Sequence, residues 1–306
     1  MKRRATYSLL FLAGFLVLDR GLAAGLLWAL ETTETGEAAG RGRYSIRRGR
    51  EAEVVLFGSS RMRHHLDPSI VGERTGLDTF NAGVNGQGVV YAAALQAAML
   101  DGEGSSQLHV LNLDAADLFD LRAGRAHVLS PLGLRYPSID EVLGRFDRGY
   151  ELKVIASRSY RFNSMVFPIA ANFGKAAPSD DDGFAPLPVR RVPTVAPPGD
   201  LPTGECPQCV AAIEDFVHRG REHGVEIVFV TSPVLFPSTA RQRWAHGEFA
   251  SLSRRLEVPW IDGQELGDWS RDDFSDAYHL NENGSAVLST LVAAELERLG
   301  QDAGSK

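Results

Sequence analysis

Cysteine is nearly absent. The 306 residues hold two, Cys206 and Cys209, in the stretch "ECPQC". Zinc needs about four ligands, and no second Cys/His pair stands at ligand spacing, so no metal site is expected. Outside the cytoplasm the pair can close a small disulfide loop. The two cysteines also open a helical pattern, as thioredoxin-type redox pairs do. Here a Pro-rich loop precedes them instead of a strand, which argues against redox catalysis. An excess of positive charge is lacking too. The formal net charge is -7, which argues against nucleic acid as the main partner, because phosphate binding wants a basic face. There is no GxxxxGK[ST] run and no GxGxxG after a strand, so no nucleotide cradle and no cofactor are implied. No repeat recurs at a fixed period. What remains is a globular composition, 44% hydrophobic, enough for one large α/β domain or two small ones.

A long apolar run occurs only at the N-terminus. Lys2, Arg3 and Arg4 precede "YSLLFLAGFLVLDRGLAAGLLWAL". A bilayer crossing needs roughly 20 residues, and this run is long enough. Asp19 and Arg20 interrupt it near the middle, where an isolated charge costs about 2.5–3.5 kcal/mol on insertion scales. The segment fits an uncleaved membrane anchor, a cleaved signal peptide with its apolar region at 9–18, or a soluble amphipathic helix. The uncleaved anchor is the expectation, over residues 1–30. The basic N-flank favours N-inside and an extracytoplasmic domain in the periplasm or at the cell surface. Arg41, Arg43, Arg47, Arg48 and Arg50 follow the run and weaken that asymmetry.

A polar linker is expected over 31–50 and one α/β domain over 51–300. Strands are predicted at 53–57, 78–81, 108–113, in "GVEIVFVTSP" and in "VPWID". Helices are predicted at 68–75, 87–100, 209–223, 241–256 and 283–299. Strands alternating with helices mean crossover units and a parallel sheet covered on both faces. Residues 122–201 break the rhythm. "SDDDGFAPLPVRRVPTVAPPGDLP" cannot form a regular element, because its prolines remove ladder donors. It is either a long surface loop or a substrate-binding lid. Its acidic run, 180–182, reads as a solvated face.

Three stretches carry chemistry. "EVVLFGSSRMRHHLDP" is a buried strand that stops at Gly58, Ser59 and Ser60. In an open parallel sheet, ligands gather beyond the carboxyl ends of strands. Alone, Gly-Ser-Ser is equally an ordinary loop or helix cap. "TFNAGVNGQG" also follows a short strand and runs into a helix. Its Gly83, Gly86 and Gly88 can expose N–H donors to an anion, such as a developing oxyanion. "DAYHLNENG" places Asp276 three residues before His279. A carboxylate there can fix the imidazole tautomer that activates a serine.

Together the three stretches resemble the SGNH/GDSL hydrolase superfamily. The resemblance implies a flavodoxin-like three-layer α/β/α sandwich with a central parallel sheet, joined here to an N-terminal transmembrane helix. It implies acyl-ester chemistry by a Ser60–His279–Asp276 triad. Ser60 stands at the nucleophile position and Ser59 where Asp is common. The backbone of Ser60 and Gly86 would bind the oxyanion. The family's third block, Gly-x-Asn-Asp, is replaced by "NLDAAD" (112–117), with Asp114 for Gly and Ala116 for the Asn donor. Asn85 or Asn112 would have to substitute. The altered block also resembles membrane-anchored relatives that move acyl groups onto envelope or exopolysaccharide polymers. The substrates implied are acyl esters or acylated polysaccharides; a catalytically weak polysaccharide-binding or assembly protein is the alternative. Arg61 and Arg63 are candidates for an anionic substrate or are solvated. His64 and His65 read as surface residues.

Overall fold

The computed structural model describes residues 2–178, 182–192, 194–195 and 206–304. The helix α1 (Lys2–Glu31) leads through an irregular turn into α2 (Arg41–Glu51). Then come β1 (Val54–Phe57), α3 (Ser60–His65), α4 (Pro68–Thr75), β2 (Thr79–Asn81), α5 (Val89–Leu100) and β3 (Leu108–Asn112). The middle of the chain forms the short helices α6 (Ala123–Ala126), α7 (Pro137–Phe146), α8 (Tyr150–Ala156) and α9 (Val166–Asn172). The remainder is α10 (Pro207–Glu222), β4 (Glu226–Thr231), α11 (Ala240–Leu256), β5 (Trp260–Asp262), α12 (Gly263–Leu266) and α13 (Glu282–Gly304).

The five strands pair in the order β2-β1-β3-β4-β5, all parallel. The order turns back between β1 and β3, which is where a doubly wound sheet opens its ligand crevice. Alternation along β1 feeds two cores, because successive side chains leave a strand on opposite faces. Val55 and Phe57 pack with α5 and α10, while Val54 and Leu56 pack with α3, α4 and α13. Each such side chain contributes about 1.5–3 kcal/mol on burial. The expected α/β/α layering is what forms.

Two expectations change. Residues 41–50, read as linker, belong to α2, a core helix packed on α5. Tyr44 and Ile46 are buried on opposite sides of the helix, and the face of Ile46 carries Gly42 and Gly49. A Cβ on Gly42 would meet Leu129 at 2.7 Å, and one on Gly49 would meet Met99 at 2.5 Å. A contact face built partly from glycine does not register as an apolar stripe. The insertion, 122–201, folds into helices through Asn172. Part of its Pro-rich stretch and most of its acidic run lie outside the described residues. The part that is described, 182–192, is a strap along the sheet's carboxyl edge. The Asn81 N–H donates to the Asp182 carbonyl (2.8 Å), the Ala185 N–H to Arg63 (3.0 Å), and the Glu282 N–H to Leu187 (2.8 Å).

Candidate active site

β1 delivers the chain to Gly58 at the carboxyl edge. A Cβ there would lie 2.8 Å from that of Met62 and 3.0 Å from that of Asn112. Only glycine allows α3 to start this close to β3. Ser59 then caps α3, accepting the Arg61 N–H at 3.2 Å. Ser60 is the first helical residue, so its own N–H has no intrahelical acceptor.

The two serines point opposite ways. Ser60 Oγ lies 2.9 Å from His279 Nε2. His279 Nδ1 lies 2.9 Å from Asp276 Oδ2 and 3.1 Å from Oδ1. Asp276 also accepts the Tyr278 N–H (2.7 Å) and the His279 N–H (2.9 Å). Partial burial pushes this carboxyl up, but the bonds from His279 and the two amides prevail and hold it at about 2. An ionised Asp276 accepts a hydrogen bond from Nδ1–H, which leaves Nε2 as the acceptor facing the Ser60 hydroxyl.

Ser59 turns inward. Its hydroxyl donates to buried Asp114, whose other oxygen lies 2.8 Å from Arg61 Nη1. Arg61 also donates to the carbonyls of Ser232 and Pro233. The Arg61 guanidinium therefore clamps α3 to the ends of β3 and β4, and is not free to greet an anionic substrate. Arg63 pairs with Glu37 at 3.3 Å. In the altered third block, Asp117 accepts the Asp114 N–H at 2.9 Å, and burial followed by the neighbouring Asp114 carboxylate pushes its carboxyl up.

Among the candidate oxyanion groups, Gly86 sits at φ +69°, in a turn closed by Gln87 N–H donating to Val84. Its carbonyl accepts from Arg125 at 2.9 Å, and among the described residues no acceptor takes its N–H. The Asn85 amide donates to Glu37 (2.8 Å) and the Asn112 amide to Ser232 Oγ (2.8 Å). The Asn112 amide is thus committed inside the fold.

His64 and His65 are buried, not surface residues. The His65 ring stands edge-on to His279, centroids 5.8 Å apart, and His64 does the same at 6.1 Å. His65 Nε2 accepts the Leu280 N–H at 3.0 Å, gripping the loop directly after His279. Burial pushes both rings below the ordinary histidine value, His65 well below, so they stay neutral beside the third imidazole. The His-His pair after β1 was visible in the sequence; its partner, more than two hundred residues later, was not.

A cavity of about 420 Å³ opens beside Arg61, at the ends of β4 and β5, lined by Ser232, His246, Phe249, Trp260 and Asp262 among others. His246 Nε2 meets Asp262 Oδ2 at 2.9 Å. A smaller hollow shares Val234 and Gln242 with it and reaches Tyr278, beside His279. Cys206 and Cys209 form a disulfide at the start of α10.

No family model and no curated protein matches the sequence. Solved structures with a similar arrangement include a Streptococcus pneumonia protein provisionally described as a platelet activating factor. It is 13% identical with a TM-score of 0.46, over 93% of this chain and 98% of that one. A carbohydrate acetylesterase family member from Sinorhizobium meliloti is 14% identical with a TM-score of 0.41, over 80% and 98%. A GDSL-like lipase from Bacteroides thetaiotaomicron is 11% identical with a TM-score of 0.39, over 84% and 97%. At these values function has to be read from the site itself.

Proposed function

We propose that the chain is a membrane-anchored serine acyl-ester enzyme of the SGNH/GDSL type, a hydrolase or an O-acyltransferase. The observation that carries this is the continuous chain Ser60–His279–Asp276, with links of 2.9 Å, at the carboxyl edge of a parallel sheet. Ser60 Oγ bonds to the ester carbonyl carbon while its proton passes to His279 Nε2. The oxyanion is held by the N–H groups of Ser60 and Gly86. As the intermediate collapses, the C–O bond breaks and His279 returns the proton to the leaving alkoxide. Water or a sugar hydroxyl then attacks the acyl-enzyme and gives its proton to His279; as the acyl–Oγ bond breaks, His279 returns that proton to Ser60 Oγ.

Envelope or exopolysaccharide esters are the proposed substrates. The cavity beside Arg61 is lined by Trp260 together with Gln242, Asp262 and Gln264, the mixture of apolar surface and hydrogen-bonding groups that suits a sugar ring. A closed Cys206–Cys209 pair accords with a domain outside the cytoplasm. Retention of α1 is supported by its docking: Ala23 and Leu30 are buried against the domain, and cleavage would strip that cover. The alternative, a catalytically weak polysaccharide binder, is favoured by Ala116 at the donor position and by the commitment of the Asn112 amide to Ser232.

The deciding experiment is fluorophosphonate labelling of the purified full chain, mapped by mass spectrometry. One adduct, at Ser60, is expected. A folded chain that takes no label yet binds acetylated polysaccharide would overturn the enzyme and promote the binder.

A further inference from the structure

The apolar N-terminal helix does not hang free of the domain. Asp19, in its middle, is 5% exposed. Its carboxylate accepts Ser157 Oγ (2.5 Å), Ser159 Oγ (2.7 Å) and the Arg158 and Ser159 amides (2.9 and 3.0 Å), with Arg20 Nη1 at 2.7 Å. The charge that interrupts the apolar run is thus fully occupied by the segment between α8 and α9. Beyond it, the run stays docked: the Trp28 ring lies tilted against Phe173, ring centroids 5.5 Å apart, and α1 packs against α9.

That docking point limits what can cross a membrane. Residues 2–18 extend about 25 Å at about 1.5 Å per residue, and the first of them are Lys2, Arg3 and Arg4. The apolar residues ahead of Asp19 reach only about 21 Å, short of a hydrocarbon core of about 30 Å. A span must therefore include residues after Asp19, where α1 already lies against the domain. The domain surface beside Asp19 then enters the bilayer with it.

That surface is apolar. On α8, Leu152 and Ile155 are 74% and 71% exposed, and on α9 Phe167 is 87% exposed with Val166 beside it. Each pair flanks the segment that holds Asp19. The opposite sides of the same helices, Val154 and Ile169, are buried, so α8 and α9 each carry apolar residues on two faces, with Glu151 also exposed on α8. One faces the core; the other has no partner among the described residues. Lys153 and Arg158 are exposed near it, suited to lipid phosphates.

Resting on the anchor proposed above, we infer that the outer face of α8 and α9 is immersed in lipid alongside α1, so that the enzyme sits in the membrane surface. The occupant is the bilayer, because the patch flanks the segment that docks α1, whose own apolar side chains are exposed. A site held against the membrane suits an acyl donor or polymer handled there.

The test uses the full chain in vesicles of phosphatidylethanolamine and phosphatidylglycerol at 3:1. Environment-sensitive fluorophores are attached to Leu152→Cys and Phe167→Cys, with Phe11→Cys as the anchor control and Glu297→Cys, on α13, as the water control. The native cysteines remain joined. Leu152, Phe167 and Phe11 are exposed and the Glu297 side chain is half-exposed, and matching melting temperatures verify the fold. Probes at 152, 167 and 11 are expected to shift to the blue and lose at least half their emission to nitroxide-bearing lipids, with 297 unchanged. Quenching at 11 but water-like emission at 152 and 167 overturns the inference and leaves the anchor standing. Water-like emission at 11 as well removes the anchor itself. Blue-shifted but unquenched probes at 152 and 167 mean that protein, such as a second copy, covers the face, and also overturn the inference.

Discussion

The N-terminus of α3 builds two polar clusters from adjacent serines. Ser60 looks outward to His279 and a half-exposed Asp276; Ser59 looks inward to Asp114 and Arg61, both buried. Each cluster pairs a hydroxyl, a carboxylate and a basic side chain. They differ in what the surroundings permit. The outer carboxylate has amide donors and solvent, and its imidazole partner turns Nε2 to the Ser60 hydroxyl. The inner one faces a guanidinium that cannot give up its proton, so it can only hold. A one-residue step from helix cap to first turn separates chemistry from architecture.

Ser60→Ala breaks the outer cluster most severely. Turnover of p-nitrophenyl acetate is expected to fall by roughly 10⁴-fold or more, because a triad acts as a unit, with the melting temperature unchanged. Near-normal turnover would move the nucleophile elsewhere. Asp276→Asn is expected to cost up to roughly 10⁴-fold in kcat by favouring the wrong imidazole tautomer, again with little loss of stability.

Inner-cluster changes should read out as stability instead. Asp114→Ala leaves Arg61 charged, buried and unpaired, which costs about 3–5 kcal/mol; urea unfolding measures it. An intact midpoint would mean that Arg61 finds other cover.

pH probes the boundary between the clusters, where His64 and His65 are held below the ordinary histidine value by burial. Below about pH 6.5 the unfolded chain takes up protons that these folded rings refuse. Stability is therefore full above that pH and falls as the pH drops, by up to about 1.4 kcal/mol per pH unit for each ring. His65→Asn should flatten the profile measured by urea midpoints from pH 7 to 5; an unchanged slope would place the proton uptake elsewhere.

The smallest effect is expected from Ser59→Ala, a loss of about 1–2 kcal/mol for a cap and a bond to a buried carboxylate. Its turnover should remain within about tenfold of wild type, a bound set by the intact outer chain. A collapse in turnover equal to that of Ser60→Ala would erase the distinction between the two serines.

Local pattern sufficed for much of the molecule. The strands announced themselves as β-branched runs, and their alternation with helices implies a parallel sheet with its ligand crevice at the carboxyl ends. The order of the three motifs, with glycine where α3 crowds β3 and Asp276 three residues from His279, pointed to the outer cluster, because backbone approach and side-chain spacing are short-range constraints. Residues 41–50 escaped because glycine and arginine carry no apolar signal, although their close packing requires small residues. Partners distant in the chain escaped as well. Arg61 read as a candidate substrate cation, and only folding brought Asp114 to it. His65 read as surface until the last loop laid the Leu280 N–H on its ring. Asp19 read as a flaw in an apolar helix, and four of its five donors come from residues 157–159. The sequence determined where strands end and which side chains can do chemistry; tertiary structure decided which charges are spent on holding the fold, because pairing inside a low-dielectric interior depends on neighbours that chain order does not reveal.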